Sequence, residues 1–263
     1  MKYVVVTGAY GGMGKAVTSL LKNSGFFVFA LDKVVGDKEE NVMPIEVDIT
    51  NVQSIENAVD IIKNTTDSLY AILHFAGIYA LDSLVEMDEE RFTRIFNVNL
   101  FGAYRINKAL FCTLKSGSRI ILTTSELATL SPLPFTGIYA LTKIALDKYA
   151  YSLRMEVQVK GVKVSVLRPG AVDTGMISVS TTELDRFCER TKYYKVNATR
   201  FKNIVNKVEA KKVSPEKIAK KTLKILMAKH PKQSYKINQN KLLLLLNALP
   251  KKLQTSVIKK VIK

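Results

Sequence analysis

The chain has 263 residues, 47% of them hydrophobic, and carries a net charge of +17. That length is near the upper bound for one domain around one core, and the apolar share can cover both faces of a buried sheet. Cys112 and Cys188 sit at no metal or redox spacing, and no apolar run approaches the roughly 20 residues that cross a bilayer. Met1-Lys2 leads directly into a strand pattern rather than a signal core. These features predict one domain over 1–263, reduced thiols, no metal, and a cytoplasmic protein that is membrane-peripheral at most.

Strand 3–7 comes first and feeds Gly8-Ala-Tyr-Gly-Gly-Met-Gly14, with a helix over 12–23. A glycine closing a strand permits a sharp turn. Glycines at the helix start let backbone approach a pyrophosphate at the positive end of the helix. Gly8, Gly12, Met13 and Gly14 are therefore candidate dinucleotide contacts. Strand 26–31 ends at Asp32, whose carboxylate can accept from ribose hydroxyls and would repel a 2′-phosphate. With glycine rather than a basic residue at position 11, this favours NAD over NADP, although Lys15 or Lys33 could swing toward such a phosphate. Strand 44–47 precedes Asp48, which is placed either to meet the adenine or to cap the helix over 51–64.

Strand 70–75 is followed by Ala76-Gly77, then a long helix over 89–113 containing Asn97 and Asn99. Strand 118–124 ends at Ser125. Helix 139–160 places Tyr139 and Lys143 one turn apart on one face. Strand 162–167 runs into Arg168-Pro169-Gly170-Ala-Val172-Asp-Thr174. Strand–helix alternation of this kind implies right-handed crossovers and a parallel sheet covered on both faces. Residues 175–212 interrupt it as a polar, irregular insertion, the signature of a lid or binding loop. Helix 215–228, a short strand at 235–237 and a basic amphipathic extension over 240–263 complete the chain.

The charge is concentrated at the C-terminal end. Residues 202–263 hold seventeen lysines, no arginine and two acids, Glu209 and Glu216, a net +15. Without arginine or a reading motif this patch does not fit nucleic acid. A solvated lysine face, or contact with an anionic membrane or an acidic partner, are the readings left open, and the amphipathic tail is placed either to cover the pocket or to meet the membrane.

Gly8/Gly12/Gly14, Asn99, Ser125, Tyr139, Lys143 and Arg168-Pro-Gly170 together resemble the short-chain dehydrogenase/reductase family. The resemblance implies a doubly wound α/β sheet of Rossmann type with about seven mostly parallel strands. It implies NAD or NADP as cofactor, and assigns Tyr139 as general acid/base, Ser125 to the substrate oxygen, Lys143 to the nicotinamide ribose and Asn99 to a water. Ala76, Gly77, Pro169, Gly170, Val172 and Thr174 match cofactor positions. It also implies a homodimer or homotetramer through the helices near 89–113 and 139–160. His74-Phe75 stands where many relatives carry an Asn pair, and His74 is read as structural. The Ser–Tyr gap of 14 exceeds the usual 13, leaving Thr124 as the alternative to Ser125.

Alcohol oxidation needs a base, and a free tyrosine titrates near ~10. An ammonium about 5 Å away contributes roughly 3 kcal/mol at an effective dielectric near 20, or about two pKa units. Tyr139 is therefore expected to be acidified by Lys143. Leu127, Leu130, Pro132, Leu133, Pro134 and Phe135 border the expected pocket, favouring a small-molecule substrate of steroid-like or long-chain type. The competing functions are a non-catalytic dinucleotide sensor and a sugar-nucleotide epimerase or dehydratase.

Overall fold

The computed structural model describes residues 1–207 and 211–263, apart from the side chains of 176–181 and 207. Seven parallel strands form one sheet in the order β3-β2-β1-β4-β5-β6-β7. They are β1 (Lys2–Thr7), β2 (Phe26–Asp32), β3 (Val42–Glu46), β4 (Leu69–His74), β5 (Leu114–Thr123), β6 (Lys163–Pro169) and β7 (Ser234–Ile237). Alternate side chains of each strand serve opposite faces. Val5, Leu31, Ile72, Ile120 and Val164 pack beneath α2 (Val52–Thr65), α4 (Gly102–Leu110) and α5 (Gly137–Val157). Val4, Val6, Ala30, Leu73, Ile121 and Leu167 pack on the other face, against α1 (Gly12–Lys22) and α8 (Pro215–Met227).

The chain winds outward from β1 to β3, then returns to the other side of β1 with β4. Strand order therefore reverses between β1 and β4, and a crevice opens beyond the carboxyl ends of both strands. Gly8, at φ +67°, lines it. A Cβ at Gly8 would stand 2.5 Å from the Ala76 nitrogen, so the close approach of the two strand ends requires glycine.

Two expected elements differ. The helix predicted over 89–113 is α3 (Glu89–Phe96), a π turn at Asn97–Phe101, and α4. One wide turn rotates Asn99 inward, and π turns commonly accompany functional sites. The insertion expected to be irregular is two helices, α6 (Gly175–Arg190) and α7 (Lys195–Lys207); positions 208–210 of it lie outside the described residues. Its apolar residues are spread thinly among charges, so the pattern is weak, and the helices are held by tertiary contacts. Leu184 and Phe187 of α6 pack with Ala198 and Phe201 of α7 around Leu81. Buried Asp82 bonds Arg190 at 2.5 Å, and Glu86 accepts from Thr191 and the Lys192 amide at the α6–α7 junction.

The basic extension is helical, as its periodicity predicts, but Pro250 splits it into α9 (Lys241–Ala248) and α10 (Lys251–Ile262). Among the described residues, no helix is long and apolar enough to cross a membrane.

Candidate active site

Two cavities meet at the strand ends, sharing Met13, Phe75, Gly77, Tyr79 and Thr174. The first, about 820 Å³, runs from the glycine turn past Asp32 and Asp48. No side chain caps α1, so its first-turn amides are available to an anion at the site lined by Gly11, Gly12, Met13 and Gly14. A Cβ at Gly12 would meet Thr174 Cγ2 at 2.6 Å, and one at Gly14 would fall 1.9 Å from the Gly8 carbonyl oxygen. Both glycines therefore keep open a cradle that side chains would fill, and these residues fit a dinucleotide.

Asp32 is fixed by two amides, Tyr10 N–H to Oδ2 at 2.9 Å and Lys33 N–H to Oδ1 at 2.8 Å. Lys33 turns its ammonium to Asp48 at 2.7 Å. Asp48 also accepts from the amide and hydroxyl of Thr50. Burial opposes its ionisation, but the bonds from Lys33 and Thr50 outweigh that and hold its carboxyl at about 2. It lines the cleft and does not cap α2; Asn51 does, accepting from the Ser54 amide. Ala76 donates to the Thr7 hydroxyl at 3.4 Å.

The second cavity, about 520 Å³, has Ser125, Tyr139 and Lys143 in its wall. Ser125 closes β5 and opens a 3₁₀ turn at Glu126–Thr129, accepting from the Leu127 amide at 3.2 Å. Its side chain hydrogen-bonds Tyr139, whereas Thr124 turns toward Asp147. Tyr139 lies in the first turn of α5 with the Tyr79 ring 4.8 Å away, centroid to centroid. One turn on, Lys143 Nζ sits 5.6 Å from the Tyr139 ring centroid and donates to the Thr123 carbonyl at 3.3 Å.

Asn99 is held from the π turn. Its Oδ1 accepts from the Ile78 amide at 2.8 Å, and its Nδ2 donates to the Ile78 carbonyl and the Thr142 hydroxyl. A Cβ at Gly77 would come within 3.3 Å of Asn99 Oδ1 and 3.4 Å of Lys143 Nζ, so the two side chains converge over that glycine. Asn97 bonds Arg105 instead. Pro169, Gly170, Val172 and Thr174 border the same cavity. Gly170 passes the end of β7 so closely that a Cβ would fall 1.9 Å from the Asn238 carbonyl oxygen.

The expected acidification of Tyr139 is not found. Burial raises its pKa well above the ordinary 10, the Tyr79 ring adds to the rise, and the Ser125 bond lowers it by less. Burial likewise depresses Lys143, to about 8. Desolvation penalises both charged forms and here exceeds the attraction between them. His74 is buried, pushed to about 4, and bonds Asn107 Oδ1 at 2.8 Å, while Asn107 donates to the Tyr149 hydroxyl. It is a neutral packing group.

Residues 2–185 match the profile of the short chain dehydrogenase family. The chain belongs to the short-chain dehydrogenase/reductase family. A 3-ketodihydrosphingosine reductase of Bacteroides thetaiotaomicron is 25% identical over 229 residues, covering 87% of this chain and 84% of its own. Estradiol 17-beta-dehydrogenase 2 of Mus musculus is 31% identical over 189 residues, 66% of this chain and 49% of its own. A short chain dehydrogenase from Burkholderia cenocepacia, solved with NADP, superposes with a TM-score of 0.74 at 22% identity, over 98% of this chain and 99% of that one. This short-chain dehydrogenase/reductase is accordingly an NAD(P)-dependent oxidoreductase of a family acting on CH–OH groups.

The sequence reading of this enzyme missed several wall residues. Tyr79 packs on Tyr139 with no local motif to announce it. Arg91, Arg94, Glu183 and Arg186 line the first cavity. Leu242, Leu243 and Leu246 of α9, with Val257, Ile258, Val261 and Ile262 of α10, wall the catalytic cavity. Their helical spacing was visible in the sequence; which of pocket cover, oligomer contact or membrane contact they serve was not.

Proposed function

We propose that this enzyme interconverts a lipophilic secondary alcohol and its ketone, of steroid-like or long-chain type, using NAD in preference to NADP. The observation that carries the reading is the Ser125–Tyr139 hydrogen bond in the wall of a cavity whose lining from α7, α9 and α10 is apolar. The substrates named for the two curated relatives, a long-chain ketone and a steroid, support the same class.

In this reading the glycine turn and the start of α1 hold the pyrophosphate, and Asp32 holds the adenosine ribose. Asp48 borders the adenine, and Ala76, Gly77 and the Pro169–Thr174 turn border the nicotinamide half. When bound, the cofactor supplies or accepts the hydride. Ser125 orients the substrate oxygen and stabilises charge developing on it. Tyr139 exchanges a proton with that oxygen. Its elevated pKa keeps the phenol protonated at neutral pH, which suits it to donate during ketone reduction. Lys143, still largely cationic below about 8, stabilises the phenolate left behind and reaches the nicotinamide ribose. Asn99 shapes the Lys143 end of a proton path to solvent. The site has the hydroxyl, phenol and ammonium that a dinucleotide sensor would not need.

A substrate panel of secondary alcohols and ketones, run with NAD and NADP in parallel, tests this reading. Turnover of lipophilic members with the Tyr139→Phe variant at least about 10²-fold slower is the expected result. Turnover confined to small polar alcohols, or a Tyr139→Phe variant as fast as wild type, would refute it.

The same reading places α6 and α7 as a lid within a single domain. A homodimer or homotetramer forms through α4 and α5, whose outer faces expose Tyr104, Tyr151 and Met155. Exposed Leu242, Leu244, Leu245 and Leu253, set among the lysines of α9 and α10, rest the extension of a cytoplasmic protein on anionic membrane. Light scattering and co-sedimentation with phosphatidylserine vesicles test these two points.

A further inference from the structure

The catalytic cavity contains one charged side chain that the proposed chemistry does not use. Among the described residues lining it, Glu126 and Lys143 are the charged ones. Glu126 follows Ser125 directly and is 7% exposed. A buried carboxylate normally satisfies both oxygens or loses its charge. Glu126 Oε2 accepts from the Asn240 amide at 2.6 Å. Oε1 has no hydrogen-bond partner among the described residues and lies above the Gly170 turn, where a Cβ on that glycine would reach it at 3.1 Å. The group takes part in no ion pair among the described residues. The residues that α9 and α10 contribute to the cavity wall are apolar: Leu242, Leu243, Leu246, Val257, Val261 and Ile262 among them.

We propose that Glu126 recognises a hydrogen-bond donor on the substrate, a hydroxyl or an amino group near the reacting carbon, so that the enzyme's substrate is a long-chain amphiphile with a polar head. This deepens the lipophilic reading above and rests on it for the identity of the reacting alcohol. A purely hydrocarbon ketone would leave Oε1 buried and unpaired; a donor beside the carbonyl would satisfy it. Specificity follows from that asymmetry, because a buried acceptor rejects ligands unable to pair with it. An ammonium head would have a further effect. Burial raises the Glu126 pKa against the lowering pull of the Asn240 amide, and a bound cation would draw the proton off.

Glu126 also ties the start of α9 to the catalytic loop, and the test must separate that latch from recognition. Glu126→Gln keeps an oxygen for the Asn240 amide and turns the cavity-facing atom from acceptor into donor. Binding is read by titration calorimetry with three saturated twelve-carbon probes: the 2-amino-3-alkanol, the 2,3-diol and the plain 3-alkanol. Wild type is expected to bind the amino alcohol, the diol or both about tenfold or more tightly than the plain alcohol. Comparing the first two distinguishes an amine from a hydroxyl. Glu126→Gln should abolish the margin of the amino alcohol, whose ammonium cannot accept from the new amide, reduce that of the diol, whose hydroxyl can, and leave the plain alcohol unchanged. Equal binding of all three probes by wild type, or equal weakening of all three by the variant, would overturn the proposal. Binding needs no turnover. Failure to oxidise any probe would therefore count against the lipophilic-alcohol reading alone, with the Glu126 margin still measurable.

Discussion

The ammonium of Lys143 lies 5.6 Å from the centroid of the Tyr139 ring, and a shared burial moves their acidities in opposite directions, the phenol up and the ammonium down to about 8. The pair is expensive to fold and suited to passing a proton.

Replacing Lys143 with Met should therefore stabilise the fold while removing activity. From about 8 to 10.5 the unfolded chain binds a proton that the folded chain releases, so the penalty is complete below pH 8 and shrinks as pH rises. The shift corresponds to about 3 kcal/mol. Urea midpoints should be higher for Lys143→Met at pH 7, and the gap should narrow from about pH 8 and close only above 10.5. A less stable variant at pH 7 would contradict this.

His74 sets an acid limit of the opposite kind. Its folded pKa, about 4, lies below the ordinary 6.5. Stability from this site is complete above 6.5 and is lost as pH falls toward 4, by about 3 kcal/mol in all. Asp48, at about 2, acts in a separate window, below its ordinary 3.8. His74→Asn should flatten the loss of stability between pH 6.5 and 4. An unchanged slope would mean that His74 is not buried in its neutral form.

Asp32→Asn should lower the ratio of kcat/KM with NAD to that with NADP by about tenfold, by removing the charge that repels a 2′-phosphate. Asn keeps an acceptor for one of the Tyr10 and Lys33 amides and sets a donor against the other, so a thermal midpoint measured beside the ratio separates loop loosening from the loss of charge. A ratio that does not move would place the preference elsewhere in the cleft.

Gly8→Ala should cost more than strain alone. A Cβ at Gly25, where φ is +80°, would have nothing within 4 Å, whereas one at Gly8 meets Ala76 at 2.5 Å. Gly25→Ala should lose about 1 kcal/mol. Gly8→Ala should lose more and also lose the thermal upshift that NADH confers on wild type. Equal effects of the two substitutions would remove the case for the close strand approach.

Much of this was legible in local pattern. Strands such as 26–31 and 162–167 declare themselves through apolar runs, the glycine turn lies between a strand and a helix, and Tyr139 and Lys143 share a helix face by spacing alone. Less was legible where the signal is weak or distributed. The π turn that brings Asn99 inward is invisible in a continuous helical pattern. Helices α6 and α7 depend on Asp82 and Glu86, about 100 residues earlier in sequence.

The sequence by itself determined the strands and the helices that cover them, the candidate dinucleotide turn and the Ser125, Tyr139, Lys143 set, because spacing along a strand or helix fixes which side chains share a face. The tertiary structure decided what those groups experience. It placed the extension in the wall of the cavity that Ser125 also lines, brought Glu126 to Asn240 across 114 positions, and buried Tyr139 deeply enough to reverse the expected pKa shift. Desolvation and long-range contact depend on what surrounds a residue in space, and chain order does not encode that locally.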